Sequence, residues 1–260
     1  MRRIFLSITL VLSGLAFAAP ASAAAAAAPT VRLVSATVVA GGAGVDFRYT
    51  VNCGGQGRFG LNQYVSQEVG DESTGASGTL YLDCTGRPQD VSLRAWYSFR
   101  LAAQPGPATH ELTAAFLLAG GNNQQQKQAG AVTLRDRAPR NVISAPGVPT
   151  MFFYGASVDP AADKMTLNAV WNCDSSPATS TGITVAQAVD GRVAYGHGGF
   201  EYQCTGQWET TEVVFTGTVS EPSFRAGTVS VTSQFGWCGD DENGEFSCTD
   251  RNLSDTVTVG

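Results

Sequence analysis

Laid on itself with an offset of 120 residues, the chain brings two cysteine pairs into coincidence without a gap. Asn52-Cys53 falls on Asn172-Cys173, and Cys84-Thr85-Gly86 falls on Cys204-Thr205-Gly206. Between the cysteines Val65, Gln67 and Val69 meet Val185, Gln187 and Val189, and Gly78 meets Gly198. Self-similarity at a fixed long period marks one supersecondary plan used twice. Whatever this chain builds, half of it must be able to build once.

The residues before the first cysteine of each copy alternate as a half-buried strand requires, because successive side chains point to opposite faces. Val45, Phe47, Tyr49, Val51 and Cys53 share one face, with Asp46, Arg48 and Thr50 on the other. The second copy offers Met165, Leu167, Ala169, Trp171 and Cys173. Ala for Tyr at one position and Trp for Val at the next inward one roughly conserve the buried volume, the exchange a packed core tolerates best. This face reads as core, not as a ligand site.

Period-two runs bounded by Gly, Pro, Asn and Asp predict strands at 31–39, 45–53, 61–69, 79–84, 91–101, 110–118 and 130–135. The second copy predicts 151–158, 164–173, 182–189, 198–204, 210–219, 226–235 and 254–259. Seven short strands per copy and no helical period predict an all-β chain of two tandem seven-stranded antiparallel β-sandwiches. The domains run 31–136 and 151–260, joined by a Pro-rich linker at 137–150 that Pro139, Pro146 and Pro149 stiffen.

Met1, Arg2 and Arg3 followed by the apolar stretch Ile4 to Ala19 read as an export signal, with Ala21-Ser22-Ala23 as the cleavage site. The signal peptide is 1–23, and 24–30 is an Ala-rich disordered segment. The expected location is secreted and extracellular, with no membrane insertion. Export decides how the cysteines are read, since thiols pair in an oxidising compartment. Equivalent positions should pair alike, giving Cys53 with Cys84 and Cys173 with Cys204. Cys238 and Cys248 have no cysteine counterparts and pair with each other or stay free. There is no C-x-x-C pair, and two histidines do not make a zinc site, so neither metal nor cofactor is implied. A formal charge of −6 repels phosphate backbones, which excludes nucleic acid as a partner.

The copies differ most where the second carries a hairpin, Trp237-Cys238 to Phe246-Ser247-Cys248, stapled near its base and acidic at its tip. Copy one has the polar Gly120 to Gln128 in its place. A solvated loop is the bland reading. The functional reading makes Trp237, Asp240, Asp241, Glu242, Glu245 and Phe246 a ligand-binding surface, with aromatics as anchors. The order of acids does not match a calcium loop.

Catalytic signatures are weak. Gly196-His197-Gly198-Gly199 is glycine-rich like some oxyanion loops, but no G-x-S-x-G elbow accompanies it and Ser77 stands opposite His197 in the repeat. His197 reads as a loop histidine, and His110 as the beginning of a strand. Gln67 and Gln187, flanked by valines on their own face, are expected to hydrogen-bond inside the fold. No catalytic residue is assigned.

The Asn-Cys strand end, the Val-x-Gln-x-Val strand, the Cys-Thr-Gly turn and the approach Phe224-Arg225-Ala226-Gly227 resemble secreted actinobacterial proteins with tandem immunoglobulin-like β-sandwich domains. The resemblance covers both copies and implies an immunoglobulin-like fold and an extracellular compartment. It departs from a true immunoglobulin domain in having no tryptophan between the paired cysteines. The expected function is a non-catalytic extracellular binding or structural module whose partner is a protein or a carbohydrate. The alternative is a secreted hydrolase or hydrolase inhibitor.

Overall fold

The computed structural model describes residues 28–97, 101–121, 123–136, 150–172, 176–217, 222–240 and 246–260. At 97, 150, 176–180, 204, 235–240 and 246–251 it describes the backbone alone. The expected signal peptide at 1–23 and nearly all of the expected linker at 137–150 fall outside these residues.

The first half forms seven strands: β1 (Thr30–Val39), β2 (Gly44–Asn52), β3 (Gln56–Val69), β4 (Glu72–Thr85), β5 (Gln89–Tyr97), β6 (Gly106–Leu118) and β7 (Gln124–Asp136). The second half forms β8 (Thr150–Asp159), β9 (Lys164–Asn172), β10 (Ser176–Val189), β11 (Arg192–Cys204), β12 (Glu209–Thr216), β13 (Gly227–Asp240) and β14 (Phe246–Val259). Every expected strand is present and the chain is all-β, with hairpin strands longer than expected. Asp190-Gly191, both at positive φ, make the tight turn between β10 and β11 that a hairpin favours.

Two tandem antiparallel sandwiches are not what these strands make. The first half is a closed barrel in the order β1-β2-β5-β4-β3-β6-β7. It closes through a parallel contact, Ala36 to Val38 against Leu134 to Asp136, so it is not wholly antiparallel. A second short junction, Ala76 with Tyr97 and Ser77 with Trp96, joins β4 to β5. The second half keeps the corresponding strand order in two sheets, β8-β9-β12 and β11-β10-β13-β14, around one core.

One exchange, Ala95 in the first half for Phe215 in the second, accompanies the difference. A Cβ at Gly78 on β4 would lie 2.6 Å from the Arg94 backbone oxygen and 3.1 Å from Ala95 Cα, so β4 and β5 touch backbone to backbone. At the matching Gly198 the neighbours are the Phe215 ring and Val213. Phe215 stands where the first half has Ala95, and its ring props β11 away from β12. The repeated glycine is thus the place where the fourth strand crosses the fifth at close range.

The inward face expected of β2 and β9 holds: Val45, Phe47, Tyr49, Val51, Met165, Leu167, Ala169 and Trp171 are all buried. Tyr49 donates its hydroxyl to Gln63 Oε1 at 2.5 Å, and burial pushes its pKa up. The second half has Ala169 and Ile183 at those places, so the polar pair was exchanged as a unit. The repeated glutamines behave as expected and alike. Gln67 bonds the Gln104 backbone N–H (2.9 Å) and carbonyl (2.8 Å), and Gln187 bonds those of Arg225 (2.8 and 2.7 Å).

Cys53 and Cys84 form a disulfide. Cys173 and the Cys204 side chain lie outside the described residues, as do the side chains of Cys238 and Cys248, whose backbones stand directly opposite in the β13–β14 ladder.

Candidate functional site

The halves meet over a charged contact that the strand pattern did not announce. Asp46 lies on the face of β2 opposite its core side chains, yet it is buried, because the second half covers the β2–β5 face. Arg94 on β5, 2% exposed, grips Asp46 through Nε (2.6 Å to Oδ1) and Nη2 (2.9 Å to Oδ2). Its remaining nitrogen, Nη1, donates across to the Asp255 carbonyl, to Thr256 Oγ1 (3.3 Å) and to Ser230 Oγ (3.4 Å). Such a bidentate fork fixes orientation as well as charge. Further along, Ala102 N–H donates to the Gly191 carbonyl at 2.9 Å, and Ala186 and Val193 complete the first half's core. Burial pushes the Asp255 carboxyl above its ordinary value.

Beside this clamp lies a cleft of about 480 Å³. Its floor is the outer face of the four-stranded sheet. Because side chains alternate and the ladders are in register, residues from four strands line up in rows. His197 stands opposite Thr184, Thr184 opposite Thr232, and Thr232 opposite Ser254. The neighbouring row runs Gly182, Gln234, Asn252. The facing wall comes from β4 and β5, with Tyr81 and Trp96 the large side chains. Trp96 stacks on Tyr195 across the two halves, centroids 5.3 Å apart and planes 22° apart. Gly182 leaves the floor open, where an added Cβ would sit 3.4 Å from the His197 ring.

Chemically the cleft is aromatic and neutral-polar. Among the described residues no Asp or Glu lines it, and Arg94 is committed to Asp46. Thr232 Oγ1 is buried with no hydrogen-bond partner among the described residues. Thr184 Oγ1 and His197 Nδ1 share a 3.3 Å hydrogen bond, a hydroxyl beside an imidazole. They are cross-strand neighbours in mid-ladder, and no carboxylate among the described lining residues orients the ring.

His197 is therefore in a strand, not a loop, and it lies in the cleft. His110 sits inside β6 rather than at its start, 9% exposed, and Nδ1 has no partner. Burial lowers its pKa below the ordinary 6.5. The folded state thus resists protonating it: the stability it contributes is complete above pH 6.5 and lost as pH falls toward the lowered folded value. Urea midpoints between pH 8 and 5.5 should fall more in the wild type than in His110→Leu; parallel curves would contradict this.

Of the hairpin residues expected to bind, Asp241, Glu242 and Glu245 lie outside the described residues, and of Trp237, Asp240 and Phe246 only the backbone, in β13 and β14, is described. No described cluster of His, Cys, Asp and Glu is arranged to hold a metal. No helix among the described residues is long and apolar enough to cross a membrane.

No family model matches the chain, and no curated protein matches it in sequence. Among solved structures it is similar to red sea bream transglutaminase, 11% identical over 88% of this chain with a TM-score of 0.25, and spans 31% of that enzyme's length. It is also similar to MtrC from Shewanella baltica OS185, 7% identical over 90% of this chain and 70% of that one, again with a TM-score of 0.25. Likenesses this distant carry no argument about fold or activity.

Proposed function

We propose that this protein is a non-catalytic extracellular binding module, built from a duplicated disulfide-pinned β unit and binding its ligand in the cleft between the halves. Export by the segment 1–23 and the immunoglobulin-like ancestry of the two units belong to the same reading. One observation carries it: a concave site of ligand size, its aromatic and hydroxyl groups held by two sheets, with no reacting pair assembled among the described residues. A hydrolase of the glycosidase type needs two carboxyl groups flanking the scissile bond, and the described lining residues include none.

The stapled hairpin is a second surface of the same module. To separate the two, the chain from Ala24 onward is immobilised and exposed to secreted and cell-wall material. The wild type should retain a component that Gln234→Ala, in the cleft, holds less well, with no breakdown products released. Replacing 237 and 240–245 by a Gly-Ser turn tests the hairpin alongside. Loss of retention only in the hairpin replacement would move the site there, and release of cleaved product would make the protein an enzyme.

A further inference from the structure

Rows of hydroxyl and carboxamide groups along one wall, with rings on the other, discriminate among ligand chemistries. An anionic ligand needs a cation, but the arginine among the described lining residues has both ends of its guanidinium fork on Asp46 and its last nitrogen on Asp255, Thr256 and Ser230. A cationic ligand needs a carboxylate or a box of rings, and the described lining residues include no carboxylate. Trp96 and Tyr195 lie nearly parallel against each other, which leaves outward ring faces rather than a cage. A purely apolar ligand would take the exposed Gln234 carboxamide out of water at the cost of its hydrogen bonds there.

Neutral polyhydroxylated rings satisfy all of these at once. Strands lie about 4.8 Å apart, so His197, Thr184, Thr232 and Ser254 present polar groups at regular intervals across four strands. Gln234, exposed in the lining between Gly182 and Asn252, offers a carboxamide donor and acceptor to ligand hydroxyls. The C–H face of a sugar ring rests on an aromatic face while its hydroxyls reach the row. We propose that the cleft takes a neutral saccharide, a proposal that rests on the binding-module reading, with Gln234 as the principal hydrogen-bonding residue and Tyr81, Trp96 and Tyr195 as the stacking surface.

The test uses Gln234→Leu, a change of similar shape that removes only the carboxamide. The chain from Ala24 onward is applied to a glycan array carrying neutral oligomers of glucose, mannose, galactose and N-acetylglucosamine beside sulfated, phosphorylated and uronic-acid glycans and choline esters. The wild type should bind neutral glycans, with affinity little changed between 50 mM and 500 mM salt. Gln234→Leu, at an exposed position, should unfold at nearly the same urea concentration, yet bind about tenfold more weakly. Binding to charged glycans or choline esters that weakens in Gln234→Leu overturns the neutral-sugar assignment and leaves the cleft as the site. Neutral-glycan binding indifferent to Gln234→Leu and Trp96→Ala places the site elsewhere. An array on which the wild type binds nothing overturns the saccharide proposal, and the retention experiment then decides the binding reading by itself.

Discussion

Replacing Arg94 with Met should lower the unfolding free energy by about 3–5 kcal/mol, the usual cost of removing one partner from a buried ion pair. Asp46 would be left 7% exposed with no countercharge, and the Asp255 carbonyl would lose its donor from the other half. Asp46→Leu should cost a similar amount, because a guanidinium buried this deeply cannot regain water. The double variant Asp46→Leu/Arg94→Met should cost much less than the two together, since no charge is then stranded. Urea unfolding of the four proteins gives the coupling directly. Additive losses, or an Arg94→Met variant within about 0.5 kcal/mol of wild type, a change typical of surface positions, would show that the clamp does not anchor the halves.

That clamp was legible only by a comparison of the copies. Within one copy, Asp46 and Arg94 occupy the outward positions of amphipathic strands, where charge is ordinary. Their counterparts are Thr166 and Val214, and Val214 is 54% exposed on the open face of β12. An ion pair present in one repeat and absent from the other is the signal that this face is used differently. Period-two patterning carries no information about what lies beyond the face it predicts.

The same limit hid the cleft. His197 and Tyr195, Thr184, Thr232 and Gln234, Asn252 and Ser254 are polar or half-exposed positions spaced by two on four strands, a pattern that reads as a solvated face. Only the register of three ladders brings them into rows, and register between distant strands is not written in local periodicity. The first half of β4, Glu72 to Gly78, lies outside the expected strand 79–84 because its small polar residues and two glycines carry no apolar alternation. Gly78 is there because of the β4–β5 crossing, and a Cβ at Gly75 would meet the Tyr64 hydroxyl at 2.6 Å. What was legible came from burial on one side: the cores of β2 and β9, the paired glutamines, and the pairing of Cys53 with Cys84.

The second large effect concerns that cysteine pair. Cys53 and Cys84 are joined across 31 residues and both are buried, Cys53 at the end of β2 and Cys84 near the end of β4. The bridge ties the hairpin of β3 and β4 to the strand that enters it, so its removal frees the chain chiefly in the unfolded state. The chain-entropy model gives roughly 3–4 kcal/mol for a loop of this size. Cys53→Ala/Cys84→Ala should therefore lose about that much, plus a small packing term for two trimmed side chains. Because the first half's core includes Ala186 and Val193, the loss should reach the second half as well. Tyr195 and Trp171 report on that half, Trp96 on the contact between the two. In the wild type and in the bridge variant all three signals should fall in one transition, displaced to lower urea in the variant. A variant in which Trp171 keeps its wild-type midpoint while the first half unfolds early would show that the halves are thermodynamically independent and that the Arg94 contact joins them only in geometry.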